Sequence, residues 1–167
     1  MKIAIMSDTH DNIWRLMDAM PHLQNASAIL HCGDLISPFV VVKLMEGVGN
    51  IPVHVVWGNN DGDKKVIADK AGKYSNIELH GEFADLEIDG LRIAMNHYPE
   101  IGNSLAYSGK YHLVCFGHNH QASLEQVNDT LLVNPGEVMG LYGRSTMVLF
   151  DTKTHQVEWI ELWNEEA

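Results

Sequence analysis

Short apolar runs that stop at polar, turn-forming clusters set the rhythm of the first half of this chain. Residues 2–6 run into Ser-Asp-Thr-His-Asp-Asn, residues 28–32 into Gly33-Asp34, and residues 52–57 into Gly58-Asn59-Asn60-Asp61. Runs of this length bounded by Gly, Asn and Asp predict strands. Between them lie helical stretches. Asn12 or Asp11 can cap the first, which extends to about Leu23 with Trp14, Leu16, Met17 and Met20 on one side. Pro38 opens the second, with Phe39, Val42, Leu44 and Met45 in its apolar set. A third, polar helix covers residues 64–72. This alternation predicts a parallel sheet with helical crossovers.

The second half is patterned differently. Residues 83–88 and 91–96 flank Asp89-Gly90, a strong hairpin signal, and residues 122–127 and 130–134 flank Asn128-Asp129. Residues 146–150 and 156–162 form a further pair, and residues 111–116 read as a buried strand ending at Gly117. A mixed or antiparallel second sheet is expected. The predicted fold is therefore α/β, with two sheets packed face to face and helices outside, in a single domain over residues 1–167. The acidic last few residues are expected to fray.

Composition narrows the function classes. With 167 residues, 46% hydrophobic and 20% charged, the chain can bury a sizeable core. Its formal net charge of -11 opposes binding to a nucleic-acid backbone, which calls for a basic face. The N-terminal apolar run is too short for a signal peptide, and no segment approaches the roughly 20 apolar residues that span a bilayer. No membrane partner and a cytoplasmic location are expected. The two cysteines, Cys32 and Cys115, sit in apolar strands and read as reduced core thiols.

Candidate chemistry lies at the strand ends. Asp8 and His10, Asp34, Asn59, His97, and His118 with His120 each follow an apolar run. Taken singly, each motif is an ordinary polar turn or cap. Taken together, carboxylates, one amide and four imidazoles suit two divalent cations of borderline character. Such groups also stand where α/β sheets place their sites, at the carboxyl ends of strands. The Asp34 carboxylate is able to bridge two ions. Asn59 adds a ligand without adding charge, so Asp8 and Asp34 leave a net positive centre that favours phosphate and lowers the pKa of a bound water to roughly 7. His22, His31, His54, His80, His112 and His155 match no such pattern and are assigned to surface or packing roles. A closed structural zinc site fits poorly, because both cysteines fall outside the ligand pattern.

These motifs resemble the calcineurin-like metallophosphoesterase superfamily, whose signature is Asp-x-His, Gly-Asp, Gly-Asn-His-Asp or Glu, a histidine, and Gly-His-x-His. The small size and Asn134-Pro135-Gly136 look like its compact single-domain phosphodiesterase branch from bacteria and archaea, itself similar to the retromer subunit of the same fold. The resemblance implies a four-layer αββα sandwich. It places Asp8, His10, Asp34 and His120 on one ion and Asp34, Asn59, His97 and His118 on the other. Manganese is the metal it suggests first, with nickel, iron, zinc and magnesium as alternatives. It implies a phosphodiesterase in which a metal-bridging hydroxide attacks phosphorus, with a monoester as the less favoured substrate. The alternative is a scaffold of the same fold, catalytically weak or inactive, that serves protein partners.

One departure affects the mechanism. The histidine of Gly-Asn-His-Asp, often given the role of protonating the leaving group, is Asn60 here, and an amide cannot act as a general acid. Asn60 and Asp61 are carried over as catalytic-site residues, Asp61 as an orienting group. Asn60 and Asn119 are expected to contact a small phosphodiester substrate. Many relatives follow Asn-Pro-Gly with Ser, whereas this chain has Glu137, in a loop expected at the site mouth. Arg144 in that loop reads as a surface residue. Trp159 and Trp163 could join a homo-oligomer contact or pack within the monomer.

Overall fold

The computed structural model describes residues 1–163; the acidic tail expected to fray, residues 164–167, lies outside them. Eleven strands and four helices follow the chain as β1 (Lys2–Met6), α1 (Ile13–Leu23), β2 (Ala28–His31), α2 (Pro38–Val48), β3 (Val53–Val55), α3 (Lys64–Ala71), β4 (Ile77–Leu79), β5 (Phe83–Ile88), β6 (Leu91–Asn96), α4 (Pro99–Tyr107), β7 (Leu113–Cys115), β8 (Ser123–Val127), β9 (Thr130–Asn134), β10 (Thr146–Asp151) and β11 (Val157–Glu161). One sheet has the order β11-β10-β1-β2-β3-β4 and the other β5-β6-β7-β9-β8.

Strand β1 shows why the layers form. Ile3 and Ile5 enter the core between the two sheets, while Ala4 and Met6 enter the core beneath α1, α2 and α3. A strand buried on both faces must be apolar throughout, and each Ile buried contributes about 2–3 kcal/mol. On the second sheet, Ala94, Val114 and Leu132 pack under Ala106 of α4. The result is the expected order of helix, sheet, sheet, helix. Cys32 and Cys115 are free, buried thiols in the inter-sheet core.

Several expectations are corrected. The 146–150 and 156–162 pair does not belong to the second sheet: β10 runs antiparallel to β1 and extends the first sheet. Its Val148 and Phe150 fill the inter-sheet core from that side. The second sheet is mixed, with β6, β7 and β9 mutually parallel. Strand β4 and helix α4 were not expected. Strand β4 has three residues, and α4 carries Gly102 and Asn103, both weak helix formers. Gly102 suits the site, since a methyl there would press on Phe116 at 3.2 Å.

The predicted helix faces are half right: Leu16 and Met20 in α1 and Leu44 and Met45 in α2 are buried as expected, but the bulkiest residues named with them are not. Trp14 is 80% exposed, and Phe39 is 73% exposed. Met17 is exposed as well, and the buried faces are Leu16, Ala19, Met20 and Leu23 in α1, and Val40, Val41, Leu44, Met45 and Val48 in α2. Large apolar residues outweigh the true stripe when counted by size alone. Asn12 does cap α1, its Oδ1 accepting from Arg15 N at 3.1 Å, a bond worth about 1 kcal/mol. Among the described residues no helix is long and apolar enough to cross a membrane.

Candidate metal centre

Strands β1, β2 and β3 run parallel in one sheet, and β6 and β7 run parallel in the other. Each therefore delivers its following turn to one end of the sandwich. The turns are laced together by main-chain bonds: Asp8 N donates to Gly33 O, His10 N to Asp34 O, and Gly117 N to His97 O, at 3.0–3.1 Å. His118 N donates to Asp8 Oδ2 at 3.1 Å, which ties β7 of the second sheet to β1 of the first.

Such turns demand unusual backbone. Asp8, His10, Asp34, His118 and His120 all lie in the left-handed region, with φ between 42° and 75°. Each such residue costs about 1–3 kcal/mol, and strain of this kind concentrates at functional sites. Three glycines make room for the crowding. A Cβ on Gly33 would meet His97 Nδ1 at 2.7 Å, one on Gly117 would meet Asp8 Oδ2 at 2.6 Å, and one on Gly58 would overlap the Asp34 carboxylate.

All seven predicted side chains converge. His10 Nε2 lies 3.6 Å from Asp8 Oδ1 and 3.4 Å from Asp34 Oδ2. His120 Nε2 lies 3.6 Å from Asp8 Oδ1. His97 Nε2 is 3.4 Å from Asp34 Oδ2 and 3.1 Å from Asn59 Oδ1, which is in turn 2.8 Å from His118 Nδ1. Asp8, His10 and His120 place donor atoms within 4.8 Å of one another, and so do Asp8, Asp34 and His97. Asp8 is common to both groups, yet its Oδ1 lies between two histidines of one predicted ligand set, His10 and His120, whereas Asp34 Oδ2 lies 3.4 Å from one histidine of each set, His10 and His97.

The donor set fits cations better than it fits itself. Asp8 Oδ1 and His10 Nε2 are buried without a hydrogen-bond partner, an arrangement that is costly unless something else pairs with them. His97 Nδ1 donates to Cys32 O at 2.8 Å. A singly protonated ring then aims its Nε2 lone pair at the oxygens of Asn59 and Asp34. His120 Nδ1 likewise bonds Glu137 Oε2 at 2.6 Å, which turns Nε2 toward Asp8. Without a cation, extra protons fill the gap. The carboxylates of Asp34 and then Asp8 push His10 up to about 9 against its burial. Burial opposes the same change at His97, but Asp34 outweighs it and the pKa rises. Burial would raise Asp34, yet His10, His97 and Asn60 hold its carboxyl well below the usual carboxylate range.

The remaining predicted residues separate by role. Asn60 does not project freely toward a substrate: its N–H and Nδ2 donate to the two Asp34 oxygens, each at 2.8 Å. Asp61 is buried and touches no ligand side chain. Its carboxylate accepts from the amides of Asp34, Ile36 and Gly58 at 3.1, 2.9 and 2.7 Å, clamping two of the turns together. Asn119 is exposed beside the site, its Oδ1 accepting from Asn134 Nδ2 at 2.7 Å. Arg144 pairs with Glu161 on the surface, as expected.

Two residues do more at the site than the sequence assigns them, Glu137 as a loop residue at the mouth and His31 as a surface or packing residue. Glu137 is fully buried, and while Oε2 holds His120, Oε1 accepts from Tyr142 N and Gly143 N. Its only signal was its place after Asn-Pro-Gly. His31 is fully buried under the site, where Gly33 N donates to Nδ1 and Nε2 donates to Thr9 Oγ1. Burial lowers its pKa to about 4, so it stays neutral and braces the first turn. Beside His10 opens a cavity of about 410 Å³ lined by Asn12, Trp14, Arg15, Met139 and Leu141.

Comparisons with known proteins agree with this geometry. Residues 1–155 match the calcineurin-like phosphoesterase superfamily domain. The chain is 34% identical to phosphodiesterase MJ0936 of Methanocaldococcus jannaschii over 167 residues, covering 97% of this chain and 99% of that one. A solved archaeal phosphodiesterase superposes with a TM-score of 0.88 at 33% identity, over 96% of this chain and 99% of that chain. Vps29 of Chaetomium thermophilum superposes at 0.66 with 16% identity, over 95% and 96% of the two chains, a likeness of fold alone. With its family motifs drawn to one end of the sandwich and its sequence matched over nearly its full length, the chain belongs to the calcineurin-like phosphoesterase superfamily.

Proposed function

We propose that this protein is a dinuclear-metal-dependent phosphodiesterase. The observation that carries this reading is that Asp8 Oδ1 and His10 Nε2 are buried without a hydrogen bond, held 3.4–3.6 Å from their nearest opposite charges inside a ring of further donors. Asp8, His10, Asp34 and His120 would hold one cation, and Asp34, Asn59, His97 and His118 the other, with manganese the first choice. When bound, the two cations polarise the phosphoryl oxygens and lower the pKa of a water they share, which supplies the nucleophile.

The chain's own part is to fix that arrangement before substrate arrives. Asn60 holds both oxygens of Asp34, Cys32 O holds the His97 ring, and Glu137 holds His120. Asp61 keeps the second and third turns in register. No imidazole stands at position 60, so the departing alcohol takes its proton from solvent, and substrates with good leaving groups react fastest. The cavity beside His10, where Trp14, Met139 and Leu141 alternate with Asp11, Asn12 and Arg15, gives the second ester arm of a diester a mixed apolar and polar bed. A monoester has no such arm, and this supports diester over monoester.

Metal-free protein reconstituted with manganese and assayed on an activated aryl diester and the matching monoester tests the reading. Manganese-dependent turnover is expected, with the diester preferred. Absence of turnover with manganese, nickel, iron, zinc and magnesium alike would instead favour the scaffold reading.

A further inference from the structure

A second cluster of metal-ligating side chains stands apart from the seven. His54 lies on β3, five residues before Asn59, and Glu78 lies opposite it on β4. Leu30, the neighbour of His54 on β2, enters the inter-sheet core, whereas Val53 and Val55 enter the helix-side core. His54 and Glu78 therefore project from the inter-sheet face, at the edge of the first sheet. His80, two residues beyond Glu78, joins them. His54 Nδ1 and His80 Nε2 are 2.9 Å apart. Glu78 Oε2 is 3.9 Å from His54 Nδ1, and its Oε1 is 3.7 Å from His80 Nδ1.

We propose that His54, Glu78 and His80 form a separate, mononuclear site for a borderline divalent transition-metal cation of the zinc and copper(II) class. Two nitrogens each about 2.0–2.1 Å from one ion stand roughly 2.9–3.4 Å apart, so the ring pair already has the spacing of two ligands on one metal. Two imidazoles and one carboxylate suit such ions rather than calcium or magnesium. In the metal-free protein the facing nitrogens share a proton, and the cation takes its place. Burial lowers the pKa of both rings, and the proximity of His80 adds to this at His54. The Glu78 side chain is 66% exposed and free to swing inward. A cavity of about 470 Å³, bordered by His54, Ser75, Asn76 and Glu78, gives a hydrated ion its way in. The bound cation fastens the three-residue edge strand β4 to β3.

The test is zinc per chain after equilibration and desalting, for the full-length protein and its His80→Ala variant. The variant is expected to hold one equivalent less than the parent, whatever the parent's total, with manganese-dependent diester turnover unchanged within about twofold. Copper(II) titrated into the parent should give an electron paramagnetic resonance component with two-nitrogen superhyperfine structure, lost in the variant. Glu78→Gln, exposed and without a packing role, should weaken that same equivalent even where His80→Ala fails to fold. Equal zinc counts in the parent and in the soluble variants, or a copper spectrum none of them alters, would overturn the proposal.

Discussion

Replacing Asp34 with alanine is expected to abolish metal-dependent turnover, lowering kcat/KM on an activated diester by about 10³-fold or more. An ion at such a centre supplies several kcal/mol of transition-state stabilisation, and every 1.4 kcal/mol or so is tenfold in rate. Asp34 Oδ2 stands 3.4 Å from a histidine of each proposed ligand set, His10 of one and His97 of the other, whereas Asp8 Oδ1 and Asn59 Oδ1 each lie between two histidines of a single set. Its loss removes the negative field that raises both histidines and leaves the Asn60 N–H and Nδ2 without acceptors. Asp34→Asn separates charge from shape: it keeps the size of the side chain but not the carboxylate, and should be nearly as inactive. Metal content, measured beside circular dichroism, should fall while the fold persists. A variant that keeps most of its turnover would show that Asp34 is not the shared group.

Gly58→Ala should come second, although it touches no ligand chemistry directly. Gly58 needs no left-handed backbone, so alanine is conformationally acceptable there. The added methyl, however, would overlap the Asp34 carboxylate and stand 2.6 Å from Asp34 N. Neither turn can retreat easily, because Asp61 grips the amides of both Gly58 and Asp34. We expect a stability loss of about 1–3 kcal/mol from overpacking. Turnover should drop by about 10²-fold, the usual effect of displacing a catalytic group by an ångström. Gly62→Ala in the same loop is the control. Its nearest neighbour would be Ile36 O at 3.8 Å, and its effect should stay within about 0.5 kcal/mol. Thermal unfolding and kcat/KM on the pair of variants decide the matter.

Much of this arrangement was legible along the chain because the ligands are chemically distinctive and follow strands that are apolar on both faces. Short continuous runs such as Ile3–Met6 announce buried parallel strands, and polar residues directly after them have nowhere to go but the sheet's end. What escaped notice was set by tertiary context. Glu137 reads as a loop carboxylate, and only its burial against His120 reveals what it does. The partnership of β10 with β1 depends on which sheet has an open edge, which a hairpin signal does not carry. Trp14 and Phe39 mark helix faces in the sequence because their hydrophobicity is large, yet small residues such as Ala19 make the contact. The motif places Asn60 facing substrate, but an amide beside a carboxylate satisfies that carboxylate first.

The central claim is that two cations are gripped around Asp34. Crystals grown with manganese and measured for anomalous scattering test it most directly. Two peaks about 3.5–4 Å apart are expected, one on either side of the Asp34 carboxylate, with His10 and His120 around one and His97, His118 and Asn59 around the other. A single peak there, or peaks only away from Asp34, would contradict the account.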